Sequence, residues 1–138
     1  MPKPKVVFDS EAILAFYLGG KGSEFVKDLL DTIQKGGADG FLNIINLAEV
    51  YYILYRADPE IAEEKEESLR LYGLKIMPVD DDALWREASR IKAKYTLSLA
   101  DAFAAATAKT LKAKLIVGSD EEFKKIGVAL TAIRKNGK

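Results

Sequence analysis

Short apolar runs alternate along this chain with stretches of helical periodicity, and that alternation constrains the fold more than any other feature. Lys5-Val6-Val7-Phe8-Asp9 reads as a buried strand, apolar and β-branched until its final acid. Gly40-Phe41-Leu42-Asn43-Ile44 and Leu115-Ile116-Val117-Gly118 read the same way. Leu74-Lys75-Ile76-Met77-Pro78-Val79 alternates, with Pro78 marking an edge or an end, and Ala129-Leu130-Thr131-Ala132-Ile133 is a candidate last strand. Between them lie helical patterns. One follows a Ser10 cap and stops at Gly19-Gly20, one runs from about Ser23, and one starts near Asn46. Others open at Pro59, near Asp80 and near Ser98, and Ser119 to Lys125 makes one or two further turns. The Pro59 helix carries Ala62-Glu63-Glu64-Lys65-Glu66-Glu67-Ser68, polar on every face, and is expected to project into solvent or cover a site.

Strands apolar on both faces need cover on both. The expected architecture is a three-layer α/β/α fold with a mostly parallel sheet of four or five strands joined by right-handed crossovers. A chain of 138 residues fits one domain spanning 1–138, with core enough to fold without a disulfide or metal staple. Ligands of such sheets bind beyond the carboxyl ends of the strands, so chemistry is sought there.

The chain contains neither Cys nor His. Thiol nucleophiles, Cys/His zinc sites and Ser–His–Asp triads are therefore excluded, and any proton transfer falls to carboxylates, Lys, Tyr or water activated by a metal. The 21 basic residues balance 21 acidic ones, so no global field recruits a polyanion or a membrane. No apolar run reaches the ~18 residues of a membrane span, and the N-terminus lacks a signal-peptide core, so the expected location is the cytoplasm.

Four acids stand where a parallel sheet gathers its chemistry. Asp9 ends the first strand, Asp120 follows the fourth, and Glu49 and Asp101 lie near helix starts. Each has a structural explanation: Asn46-x-x-Glu49, Ser98-x-x-Asp101 and Ser119-x-x-Glu122 match a capping pattern, and acids in a first turn suit the helix dipole. Asp9 has the weakest such explanation, capping the next helix, because it ends a buried run. If the four converge, carboxylates ~5 Å apart repel by about 3 kcal/mol at an effective dielectric near 20, and a cation is needed to hold them together. An all-oxygen, His-free site suits Mg²⁺ or Mn²⁺, and such an ion serves phosphodiester hydrolysis.

These residues, in this order, resemble a PIN domain of the VapC toxin type over nearly the whole chain. The motifs are Val6-Val7-Phe8-Asp9-Ser10, then Asn46-Leu47-Ala48-Glu49-Val50-Tyr51-Tyr52, then Leu97-Ser98-Leu99-Ala100-Asp101-Ala102, and lastly Ile116-Val117-Gly118-Ser119-Asp120-Glu121-Glu122-Phe123. The resemblance implies a ribonuclease dependent on Mg²⁺ or Mn²⁺, acting as a homodimer and silenced by a cognate antitoxin. It implies that Asp9, Asp101 and Asp120 are metal ligands, that Glu49 completes the acidic pocket, and that Ser10, Asn46 and Ser119 support these acids. Glu121 and Glu122 are alternatives for the fourth acid's role. A catalytically silent module of the same fold, binding RNA or a protein, is the competing expectation. Receiver and haloacid-dehalogenase readings fit poorly, because Asp9-Ser10-Glu11 supplies neither adjacent acids nor Asp-x-Asp.

Charge for RNA would come from Lys92, Lys94, Lys109, Lys112, Lys114, Lys124 and Lys125, each of which also has a plain reading as a solvated helix face. Asp80-Asp81-Asp82 reads as a helix N-terminus, Trp85 as core, and Tyr51, Tyr52 and Tyr55 as lining either a pocket or a dimer face.

Overall fold

A computed structural model describes residues 2–119 and 122–134. Five strands form the sheet: β1 (Lys5–Phe8), β2 (Asp39–Asn43), β3 (Lys75–Met77), β4 (Lys114–Val117) and β5 (Leu130–Ala132). Every pairing is parallel and the order is β3-β2-β1-β4-β5. The helices are α1 (Ser10–Leu18), α2 (Ser23–Gln34), α3 (Ile44–Ala57), α4 (Pro59–Leu71), α5 (Asp82–Lys94) and α6 (Leu99–Leu111), with a 3₁₀ turn at Phe123–Ile126.

Alternation along the strands divides the core in two. Val6, Phe8, Leu42 and Ile116 face one layer with Ile13, Leu30, Leu47 and Leu69. Val7, Phe41, Leu115 and Val117 face the other, with Ile91 and the alanines of α6. Those alanines are buried without bulk, so the helix lies close to the sheet. The expected three layers are present, with the sheet wholly rather than mostly parallel.

The polar helix α4 is exposed over much of its length but packs along α3 instead of standing clear of the fold. It buries Ala62 and Leu69, and the Tyr17 hydroxyl of α1 donates to the Lys65 carbonyl at 3.0 Å. Trp85, expected in the core, lies on the surface: it is 43% exposed, and its Nε1 donates to Asp82 Oδ1 at 2.9 Å. Helical spacing placed it beside Leu84 and Ala88, but the partner at i−3 is polar and holds the indole outward.

The chain runs outward from β1 to β2 and β3, then returns to place β4 on the other side of β1. The carboxyl ends of β1 and β4 therefore flank the point where the winding reverses, which is where open parallel sheets leave a crevice.

Candidate active site

Asp9 sits at that crevice. Its N–H donates to the Ile116 carbonyl at 2.9 Å, so the ladder continues one residue beyond β1. Its Oδ1 accepts from the Ala12 N–H at 2.8 Å and its Oδ2 from the Gly118 N–H at 3.4 Å. Asp9 is therefore the cap of α1, and Ser10, the expected cap, is the first helical residue and is buried. Capping does not account for the whole environment, because an ordinary cap is solvated and Asp9 is 2% exposed. Burial pushes its pKa up to about 8, and repulsion from Asp101 and Glu11 adds to this. The two backbone N–H groups pull the other way and lose.

The start of α3 differs from the expectation in an informative way. Asn43, not Asn46, is the cap: the Ile45 N–H donates to Asn43 Oδ1 at 2.8 Å. Asn43 is fully buried and its Nδ2 also donates to Thr107 Oγ1 at 3.0 Å, tying β2 to α6. The sequence carried a signal for it, since Asn43 closes an apolar run as Asp9 does. Asn46 lies inside the helix, fully buried, where its Nδ2 donates to Ser10 Oγ and to the Ala100 carbonyl, both at 3.0 Å. The Ser10 hydroxyl returns a bond to the Asn46 carbonyl at 3.4 Å. One amide thus joins α1, α3 and the start of α6, the helices that carry the acids. Asn46 Oδ1 has no hydrogen-bond partner among the described residues. Turning the amide would set that oxygen against the Ala100 carbonyl, so the orientation is fixed.

Ser98 caps α6 as expected, accepting from the Asp101 N–H at 3.1 Å. Asp101 is half-buried. Burial raises its pKa, the Ser98 hydrogen bonds oppose that rise, and repulsion from Glu49 and Glu11 reinforces it. A cleft of about 190 Å³ is lined by Ser10, Glu11, Glu49, Ser98 and Asp101, with Leu14 and Ile53 as its apolar wall. Three sequence-distant helices therefore bring Glu49 and Asp101 together beside Asp9. Glu11 is the acid that the sequence reading did not assign to the site. Its signal was its place two residues after Asp9, in the first turn of α1.

Asp120 and Glu121 lie outside the described residues. Ser119 is half-buried just past β4, and Glu122 pairs with Lys125 at 3.9 Å. Among the described residues no group of three or more acids is close enough to hold a metal ion. The donor chemistry nevertheless fits a hard dication. Asp9 and Asp101 offer carboxylate oxygens whose ionised forms are disfavoured by burial, and Mg²⁺ needs only one or two carboxylates when waters and substrate complete its shell.

Of the lysines weighed for RNA, Lys109 pairs with Glu87 at 2.9 Å, on the far side of α6 toward α5. A roomier cavity of about 230 Å³ lies beneath the start of α5, among Met77, Pro78, Leu84 and Leu111, but its acids Asp80 and Asp81 are exposed. Among the described residues no helix is long and apolar enough to cross a membrane.

Several solved structures share this architecture. A toxin–antitoxin complex from Klebsiella pneumoniae superposes with a TM-score of 0.70 at 17% identity, covering 94% of this chain and 98% of that one. A DNA-bound VapBC from Salmonella typhimurium gives 0.71 at 16%, covering 95% and 99%. FitAcB from Neisseria gonorrhoeae gives 0.68 at 21%, covering 93% and 97%. At such identities the likeness is one of fold. Among curated proteins none matches this sequence. The model of the PIN domain matches residues 6–129, which takes in β1, the cleft and β4. With that match across most of its length, and the fold to go with it, this chain belongs to the PIN domain family.

Proposed function

We propose that the chain is a divalent-metal-dependent endoribonuclease and the toxin of a toxin–antitoxin pair. The observation that carries this reading is the Asp9 carboxyl, buried at the winding reversal with its pKa pushed up to about 8 and Asp101 adding to the rise. A carboxyl kept there at such cost has a use for a cation.

Asp9 and Asp101 would hold Mg²⁺ or Mn²⁺, with Asp120 joining them by its place in the motif. When bound, the ion would neutralise phosphate charge and acidify an attacking water. The chain's own residues supply the frame. The Ala12 and Gly118 N–H groups fix the Asp9 carboxyl, the Ser98 hydroxyl fixes the start of α6, and Asn46 locks the helices against each other. Glu49, on the wall shared with Ile53, stands where it can orient water or accept its proton. Partnership with an antitoxin, and assembly as a homodimer, follow from the family resemblance. The first is supported by the toxin–antitoxin complexes among the structural neighbours.

The test uses the purified chain, freed of any partner, with structured RNA. Cleavage in Mn²⁺ or Mg²⁺, stopped by EDTA and lost in Asp101→Asn, is the expected result. Metal-dependent binding of several RNAs without cleavage would overturn it in favour of a silent binding module.

A further inference from the structure

A cation stands at the lip of this acidic cleft. Arg134 follows β5, and its N–H donates to the Gly118 carbonyl at 3.0 Å. The N–H of the same Gly118 donates to Asp9 Oδ2 at 3.4 Å. A single residue therefore separates the buried carboxyl from the arginine's backbone. The guanidinium reaches back over it to pair with Glu11, in the cleft wall.

Gly118 makes the arrangement possible. A Cβ there would lie 2.6 Å from Arg134 Nη2 and 2.8 Å from Glu11 Cβ. Gly118 is not among the residues with positive φ, so the need is for room, not for backbone freedom. The pair itself is weakly held. The Arg134 and Glu11 side chains are 33% and 54% exposed, and a pair so open to water adds little to stability. Such a contact is a poor staple for the C-terminal strand and an easy one to exchange. A planar guanidinium that can leave a carboxylate matches the non-bridging oxygens of a phosphodiester, which it can grip with two parallel bonds.

We propose that Arg134 contacts the phosphodiester on which the Asp9–Asp101 site acts, exchanging Glu11 for phosphate oxygens as RNA enters. The inference rests on the nuclease reading above. Arg134 takes no part in bond making. It positions the phosphate and offsets charge that grows during the displacement.

The experiment compares wild type with Arg134→Ala, Arg134→Lys and Glu11→Gln. Binding of a fluorescein-labelled RNA oligonucleotide in Ca²⁺ is read by anisotropy across a salt series, and Mn²⁺ binding is read by calorimetry. Arg134→Ala should lose about tenfold in RNA affinity and about one unit of salt slope while keeping or gaining Mn²⁺ affinity. Arg134→Lys should recover part of the affinity, because charge remains but the two-pronged geometry does not. Glu11→Gln should bind RNA at least as tightly as wild type. Unchanged RNA affinity and slope in Arg134→Ala, with equal losses of melting temperature in Arg134→Ala and Glu11→Gln, would overturn the proposal and leave a structural pair. The two readings fail separately. If wild type cuts no RNA yet Arg134→Ala loses affinity, the contact stands without the nuclease. If wild type cuts and Arg134→Ala cuts with unchanged KM and kcat, the contact falls alone.

Discussion

Two acidic groups occupy the same rim of the sheet and behave differently. Asp80, Asp81 and Asp82 follow the edge strand β3, while Asp9 and Asp101 stand around the central strand β1. At the edge, Asp81 Oδ1 accepts from the Leu84 N–H at 2.9 Å, and Asp82 serves Trp85 at 2.9 Å and Arg86 at 3.7 Å. All three are exposed. At the centre, Asp9 makes the same kind of cap but is sealed between layers and faces other carboxylates. The denser run of acids is therefore the ordinary one. What turns an aspartate into a candidate for chemistry is its place beside the winding reversal, where water is excluded and a second acid arrives from another helix.

The sharpest way to break this contrast is substitution on both sides of it. Asp9→Asn keeps a side-chain oxygen for the Ala12 N–H but cannot carry charge. We expect it to lower RNA cleavage by at least ~10³-fold, about 4 kcal/mol of transition-state stabilisation, and to abolish calorimetric Mn²⁺ binding. Asp82→Asn should cut as wild type does. Equal losses in the two variants would mean that the edge acids belong to the site.

A second measurement sharpens the same contrast through pH. The Asp9 pKa rises from 3.8 unfolded to about 8 folded, so between those values the folded chain holds a proton that the unfolded chain has lost. Stability from this group is full below pH ~4 and is lost as pH rises through ~8. The rise sets a ceiling of ~6 kcal/mol, and an interior responding with a dielectric near 20 brings the expected loss to ~2–3 kcal/mol. Denaturant melts of metal-free protein from pH 5 to 8 should show wild type falling relative to Asp9→Asn, with Mn²⁺ restoring the wild type. Parallel profiles for the two proteins would mean that Asp9 is ionised and solvated like the edge acids.

The sequence revealed the strands and the acids far better than the brackets between them. Period and β-branching identify Val6-Val7-Phe8, and an Asp closing a buried run is conspicuous, so β1 and Asp9 could be read locally. Asn46 could not. Its pattern with Glu49 fits a capping box, yet Asn43 is a better cap because it ends β2 and can also reach Thr107, 64 residues further on. That choice depends on α6 lying against β2, which no local window contains. Glu11 escaped for the same reason. Its importance comes from Gly118 and Arg134, more than 100 residues away, across a gap that only folding closes.

Asn46 tests whether the central group depends on that long-range bracket. Asn46→Ala removes two hydrogen bonds that tie α3 to Ser10 and to Ala100, while relieving the unpartnered Oδ1. The balance should cost ~1–2 kcal/mol in denaturant melts and weaken Mn²⁺ binding along with it. Stability lost with unchanged metal affinity would show the acids to be positioned independently of their brackets.

The smallest effect belongs to the edge. Asp81→Ala deletes a solvated cap from α5 and exposes one backbone N–H to water, which can partly replace it. The expected cost is ~1 kcal/mol, or about 4 °C in melting temperature for a chain of this size, independent of Mn²⁺ and with no change in cleavage. The comparison depends on that independence more than on the magnitude. An edge cap and a central carboxylate look alike as residues, so only a response to the cation separates them. If melting of Asp81→Ala shifted with Mn²⁺ differently from wild type, the ion would be sensing the edge of the sheet as well as its centre.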